Sequence, residues 1–333
     1  MTERVTMRDV AKAVGVSPMT VSRALRNDET VNAKTRARIQ KIADDLGYIY
    51  DTTAQAFRTR KSGFVAVTLP SINNANFAET YCALSNGLAD RGIQILLGAT
   101  NYRIEREEDL VRQLLARNPE ALVLTGGYHS DVTRDLIRSR GLPVIEIWDL
   151  PPDPFDKVVG FSNAKAMEII VEHLAENGRR KLAFVGASEG SDLRGADRRS
   201  GAIATAARLG LPPVAILDAG PAPVSMRHGA ALAASMGKAL LDYDALVCVS
   251  DPVAFGVLNE CRRLGIDVPG QLAITGFGNF EVAAISEPRI TTVDVDAKRI
   301  GEVAAEILVD IFDGRSQERR ENIRVKLVAG GTS

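Results

Sequence analysis

Apolar positions in the first fifty residues recur at helical spacing in three short groups. Val10, Ala13 and Val14 form the first, Val21 and Leu25 the second, and Ile39, Ile42, Ala43 and Leu46 the third. Each group is preceded by a start signal. Thr6 and Asp9 have the T-x-x-D spacing that caps a helix, Ser17 can cap the second helix with Pro18 at its first position, and Asn32 can cap the third. Gly15 breaks the first helix, and Gly47 can close the third in the left-handed conformation. Val10, Ala13, Val14, Val16, Val21 and Leu25 supply the seam between the first two. Three short helices with a glycine-containing tight turn between the first two describe a helix-turn-helix head.

From Phe64 onward the pattern changes. Short apolar runs rich in β-branched residues (FVAVTLP, IQILLGA, ALVLTGG, PVIEIW, KVVGF, KLAFVGA, VAILDA, ALVCVS, LAITGF) alternate with helix-like stretches. Those stretches are 77–91, 105–117, 131–140, 164–177, 199–209 and 252–264, most of them ending at a glycine. Strands alternating with helices predict parallel, doubly wound sheets, and near-continuous apolar strands fit sheets covered on both faces. The series divides near residues 160–162, and a last helix (296–312) and strand (322–327) follow the segment SEPRITTVDV.

Charge separates the same two regions. Residues 1–61 hold 12 Lys and Arg against 7 Asp and Glu, a net of +5; the remainder holds 29 against 35, a net of −6. A basic head on an acidic body suits a protein that meets phosphates at one end. The second helix then becomes the reader of DNA, with Pro18, Met19, Ser22, Arg23 and Arg26 on its solvent face. Arg23 can donate two hydrogen bonds to guanine and Met19 can lie against a thymine methyl, whereas Thr20, Ser22 and Lys34 suit phosphates. Thr6 and Ser17, at the helix starts, join this candidate set. The plainer reading is a small helical subdomain with solvated basic faces.

The run MRDVAKAVGVSPMTVSRALRN, followed by KTRARIQKIADDLGY, resembles the head of the LacI-type bacterial transcription regulators, and the resemblance extends over almost all 333 residues. LPSINNANFAE and ITGFGN resemble the gluconate-repressor branch. The resemblance implies a small all-α helix-turn-helix head (1–48), a hinge linker (49–62) and a two-lobed α/β, periplasmic-binding-protein-like body (63–333). The first lobe is expected at about 63–161 and 291–320, the second at about 162–290 and 321–333. It also implies a hinge that becomes helical on operator DNA, with Thr53, Ala54 and Phe57 at the DNA and Phe57 as a minor-groove wedge. Tyr50 and Asp51 stand where relatives usually carry proline and asparagine, and Asp51 would be repelled by phosphate. A plain flexible linker is the other reading of this stretch.

Ligands of open α/β sheets sit beyond the carboxyl ends of the strands. Carried over from the resembling family, Asn76, Phe77, Asn163, Arg198, Asp251, Gly278 and Asn279 would line an effector cleft between the lobes. Many sugar-binding relatives carry aspartate where Gly278 stands. Its absence removes an acceptor for sugar hydroxyls and a charge that would oppose an acidic ligand. With Arg194, Arg198 and His129 as nearby basic groups, the expected effector is an acidic sugar such as gluconate. Against this, Arg194 and Arg198 can pair with Asp192 and Asp197 in solvent.

Other chemistry finds little support. GASEG at 186–190 has the G-x-S-x-G form of a hydrolase elbow, which would make Ser188 a nucleophile, but the loop is polar and His228 is the sole histidine beyond it. No phosphate-binding loop or metal-ligand spacing occurs, so no cofactor or metal is expected. Cys82, Cys248 and Cys261 are scattered, which suits reduced structural thiols. The chain has no run of about 18 apolar residues and begins without the apolar core of a signal peptide, so a cytoplasmic protein off the membrane is expected. The leading function is a transcription regulator, on family grounds a repressor, expected to bind a pseudo-palindromic operator as a homodimer; no apolar heptad tail for tetramers follows RVKLVAGGTS. The competing class is a Ser188 hydrolase or a solute-binding protein with an incidental helical head.

Overall fold

The computed structural model describes residues 5–50, 62–187, 192–315 and 319–333. Its contacts divide the chain into two units, Met1–Ser62 and Gly63–Ser333. The expectations for Asp51, Thr53, Ala54, Phe57 and Ser188 fall outside the described residues.

The first unit holds α1 (Met7–Val14), α2 (Pro18–Leu25) and α3 (Ala33–Asp45). The start signals work as the side-chain chemistry predicts. The Thr6 N–H and hydroxyl both donate to Asp9 Oδ2, at 2.8 and 2.6 Å. Ser17 Oγ accepts from the Thr20 N–H, and Asn32 Oδ1 from the Lys34 N–H. Gly15 and Gly47 both take the left-handed backbone, at φ 77° and 67°. The core consists of Val10, Ala11, Val14, Val21, Ala24, Val31, Ile39 and Ala43. Ala13, expected in that seam, is exposed; Ala11 takes the inward place because the helix is set by its contacts with α2 and α3 together.

In the second unit, all nine expected strand runs form strands. The larger sheet has six strands: β1 (Phe64–Leu69), β2 (Gln94–Ala99), β3 (Leu122–Thr125), β4 (Val144–Ile147), β5 (Lys157–Gly160) and β11 (Arg320–Asn322). Their spatial order is β11-β5-β4-β3-β1-β2, with every pairing parallel. The smaller sheet, in the order β7-β6-β8-β9, is parallel throughout and contains β6 (Leu182–Gly186), β7 (Ala215–Asp218), β8 (Ala245–Cys248) and β9 (Ala273–Thr275). Both orders reverse direction beside their first strand, the doubly wound arrangement that opens a crevice at the strand ends. β10 (Thr292–Asp294) and β12 (Lys326–Val328) pair antiparallel as the chain passes between the sheets. β11 keeps residues 320–322 with the larger sheet, so the last passage comes after Asn322 rather than at 320.

Helices α4 (Ala75–Ala89), α5 (Ile104–Leu115), α6 (Asp131–Arg138) and α12 (Ala297–Phe312) accompany the larger sheet. With the smaller run α7 (Asn163–Glu176), α8 (Leu193–Arg208), α9 (Met226–Met236), α10 (Asp251–Arg263) and the short α11 (Glu281–Ile285). Three differ from the sequence pattern, the short α11 being one that no expected stretch covers. α9 is not expected, because MRHGAALAASM has too few large apolar residues to mark a face. α8 starts six residues before 199, because Asp192 Oδ1 caps it by accepting from the Gly195 N–H at 3.1 Å. That early start matters for the site: Arg194 and Arg198 become neighbours one helical turn apart. None of the helices described is long and apolar enough to cross a membrane.

Candidate DNA-reading face and effector cleft

α2 buries Val21 and Ala24 and turns its other side outward. Met19 is 61% exposed, and Ser17, Pro18 and Arg23 are exposed as well. Lys34 sits exposed in the first turn of α3. Arg26 is half-buried, with its Nε donating to the Ser22 carbonyl at 3.0 Å. Ser22 Oγ lies 3.4 Å from the Tyr50 hydroxyl, and Ser17 Oγ lies 2.9 Å from Thr20 Oγ1. Thr6 spends its hydroxyl on Asp9. The open N-terminal turn of α2 therefore offers an apolar group, Met19, beside a guanidinium, Arg23. That combination can meet base edges, while neighbouring hydroxyls and Lys34 can meet phosphate.

In the second unit, the loops after β1, β2 and β4 face α8 and the loop after β9 across a cleft. One chamber of about 410 Å³ is lined by Asn74, Asn76, Phe77, Tyr102, Trp148, Asp192, Arg194, Arg198, Val249, Ser250, Phe277, Gly278 and Phe280. A second, of about 420 Å³, shares Tyr102 and Arg194 with the first and continues past Thr100, Glu107, Thr125, Gly126 and Tyr128. An aromatic row forms the floor: Phe77 and Trp148 meet edge to face at 5.1 Å and Trp148 and Phe161 at 6.0 Å, while Phe161 and Phe277 lie tilted at 6.2 Å.

Both arginines of α8 lie over aromatic rings. The Arg194 guanidinium is 5.5 Å from the Phe77 centroid, and that of Arg198 is 4.6 Å from the Phe277 centroid. Gly126 makes room for the first: a Cβ there would stand 2.9 Å from Arg194 Nη1. Arg198 also donates to Asn163 Oδ1 at 2.8 Å and lies 3.7 Å from Asp192. Burial opposes the charge of Arg198, and Asp192 works the other way. Its buried Nε has no hydrogen-bond partner among the described residues, and neither has the indole Nε1 of Trp148. Two unpaired buried donors in one cleft call for an acceptor. The carboxyls of Asp149 and Asp197 are held above their usual range, chiefly by burial.

Several bonds cross the cleft. Asn76 Nδ2 donates to the Gly278 carbonyl at 2.8 Å, and the Tyr128 hydroxyl lies 3.3 Å from Asp197 Oδ1. Gly278 has φ 113°, and a Cβ there would come within 2.5 Å of the Phe280 ring and 2.9 Å of Asn76 Nδ2. A side chain at 278 would therefore strain the backbone and make Phe280 and Asn76 shift. Asn279 is exposed, and its backbone N–H donates to Thr292 Oγ1.

Two expected effector contacts are engaged elsewhere. Asp251 is 0% exposed; its carboxylate accepts from the Phe280 N–H at 2.7 Å and the Thr292 hydroxyl at 2.5 Å. It thereby ties the 277–280 loop to the crossing strand β10, and Ser250 faces the chamber instead. Burial pushes the Asp251 carboxyl up to about 6 against the pull of those bonds. The His129 side chain is likewise 0% exposed, with Nδ1 2.6 Å from Glu107 and Nε2 3.2 Å from the Gly126 carbonyl. Neither group has a free face for a ligand.

Trp148, Tyr102 and Phe280 are not among the residues that the sequence pattern marks. Trp148 and Tyr102 both have positive φ, 72° and 61°, a strained backbone that recurs at functional sites. Trp148 directly follows β4 and Tyr102 lies three residues beyond β2, so the rule that ligands gather at strand ends could have found them.

Compared with known proteins, residues 6–51 match the family described as bacterial regulatory proteins, lacI family, and residues 171–333 match the periplasmic binding protein-like domain. The HTH-type transcriptional regulator GntR of Pseudomonas aeruginosa is 34% identical over 94% of this chain and 91% of its own. The regulator of the same name from Escherichia coli K12 is 32% identical, covering 94% of each chain. A crystal structure of a LacI-family transcriptional regulator from Silicibacter pomeroyi superposes with a TM-score of 0.92 at 32% identity, over 98% of this chain and 99% of that one.

Proposed function

Because this chain belongs to the LacI family of bacterial regulatory proteins, and is thus a DNA-binding transcription regulator rather than an enzyme, we propose that it is a repressor whose operator binding is relieved by an acidic sugar of the gluconate type. The observation that carries the effector class is the donor surplus of the first chamber. Arg198 Nε and Trp148 Nε1 lack acceptors, and Arg194 rests on the Phe77 ring with no ion pair among the described residues. A carboxylate satisfies such donors better than a neutral hydroxyl, since charge-assisted hydrogen bonds are the stronger kind. Gly278 supports the same reading by withholding the carboxylate that would repel the ligand.

In this reading Asn76, Phe77, Trp148, Asn163, Arg194, Arg198 and the Gly278 carbonyl form the acid-binding chamber. Met19 and Arg23 read bases, and Ser17, Thr20, Ser22 and Lys34 hold phosphates. Two heads of a homodimer address the half-sites of a pseudo-palindromic operator, because a single head buries too little surface for tight specific binding. The protein works in the cytoplasm, where the chromosome is. Effector acts by linkage: it binds one relative pose of the lobes more tightly than the other, and can shift operator affinity only by that difference.

The test pairs calorimetry with gel shift. Six-carbon aldonates should bind and should release operator fragments, and neutral hexoses should do neither. Binding of neutral hexoses with no response to any acid overturns the effector assignment.

A further inference from the structure

We propose that the second chamber of the cleft is a hydroxyl-binding subsite built on Glu107, and that His129 is the positioning residue that holds Glu107 there. Glu107 lies in the first turn of α5, almost fully buried, on the wall of that chamber. A buried carboxylate needs partners. One oxygen accepts from His129 Nδ1 at 2.6 Å, and the side chain, 8% exposed, lines the chamber. Around it stand Thr100, Tyr102, Thr125 and, from the other lobe, Arg194. An acceptor and a guanidinium lining one chamber suit a polyol, one hydroxyl donating to the carboxylate while another accepts from the arginine.

The brace behind Glu107 is ionic, and Glu146 Oε1 takes part by charge, without a hydrogen bond among the described residues. The ring of His129 has acceptors at both nitrogens: Glu107 at one, the Gly126 carbonyl (3.2 Å) and Glu146 Oε1 (3.5 Å) at the other. With acceptors on both sides the ring must donate from both, which only the imidazolium does. Glu146 is itself 0% exposed and fixed by the Phe155 N–H at 2.7 Å. The Phe155 ring packs 5.4 Å from the imidazole and carries the Arg134 guanidinium 5.0 Å from its centroid. Burial alone would lower the His129 pKa, but the two glutamates outweigh it and carry it to about 9. The same ring fixes the loop that delivers Gly126 to Arg194 and Tyr128 to Asp197.

Arg194 and Tyr102 belong to both chambers, so one ligand can span them. For which end lies where, the inference rests on the acidic-sugar reading: the acid sits by Arg198 and Trp148, and the polyol tail reaches Glu107. That Glu107 binds hydroxyls does not depend on it.

The experiment is calorimetry with gluconate, the three-carbon acid glycerate, and the neutral hexitol sorbitol, on wild type, Glu107→Gln, Thr100→Val and His129→Gln, with melting temperature reporting the folding of each. Glu107→Gln should weaken gluconate by about tenfold or more, the worth of a hydrogen bond to a charged acceptor, and leave glycerate unchanged, because that acid is too short to reach. Thr100→Val should weaken gluconate in the same selective way, and serves should Glu107→Gln fail to fold. Wild-type affinity for gluconate should fall as pH rises past about 9, and His129→Gln should abolish that limb. Unchanged gluconate affinity in folded Glu107→Gln, or in Thr100→Val if that is the one that folds, overturns the subsite and leaves the acidic-sugar reading standing. Sorbitol binding without any acid overturns that reading, and loss of sorbitol affinity in Glu107→Gln still supports the subsite. A wild type that binds none of the three overturns both.

Discussion

Replacing Asp251 by asparagine gives a measurable handle on the knot that joins the 277–280 loop to β10. The Asp251 carboxyl stands at about 6 instead of its ordinary 3.8 because it is buried. The folded protein therefore holds this proton more tightly than the unfolded chain. The group's contribution is fully present below the unfolded value and is lost as pH rises through about 6. Moving from 3.8 to about 6 at ~1.4 kcal/mol per unit gives ~3 kcal/mol in all. Weighting the two protonation equilibria gives ~1.4 kcal/mol already present at pH 5 relative to neutral pH. Urea unfolding of wild type and Asp251→Asn between pH 4.5 and 7.5 tests this. The wild type should gain stability relative to the variant as pH falls. The variant should be the weaker overall, because an amide presents a second N–H where the Phe280 N–H or the Thr292 hydroxyl needs an acceptor. Parallel pH profiles for the two proteins would refute the assignment of a buried, proton-binding carboxyl at this position.

Gly278→Asp should cost ~1–3 kcal/mol in stability from the strained backbone and abolish binding of an acidic effector; a melting curve and calorimetry check the two parts separately. Arg23→Ala should relax base preference at one operator position, at ~1–3 kcal/mol, whereas Lys34→Ala should weaken all sequences alike and lower the salt slope by about one phosphate contact; gel shifts across salt and operator variants separate them. Ser17→Ala removes the acceptor for the Thr20 N–H and should cost about 1 kcal/mol, read as earlier melting of the head.

The sequence alone determined the parts of this protein that depend on neighbours in the chain. Helix starts at Thr6, Ser17 and Asn32 follow from side chains that accept from a backbone N–H two or three residues away, Asp9 reaching back to Thr6, and Ser17 and Asn32 reaching forward. Seven of the nine strand runs follow from apolar residues covered on both faces, whereas β2 and β7, at sheet edges, are only partly buried. The exposure of Met19 and Arg23 follows from the periodicity that buries Val21 and Ala24. Tertiary structure decided what each polar group does, because its partner lies far along the chain. Asn76 finds the Gly278 carbonyl 202 residues away, and Asp251 finds Thr292 41 residues away. His129 is drawn from the ligand to Glu107 and Glu146, although a histidine in a cleft loop looks available in sequence. Trp148, unremarkable in a one-dimensional reading, becomes a cleft wall with an unsatisfied N–H because β4 ends at the crevice. Caps and periodicity act over a few residues, whereas burial and hydrogen-bond partners are settled only when distant strand ends are brought to one place.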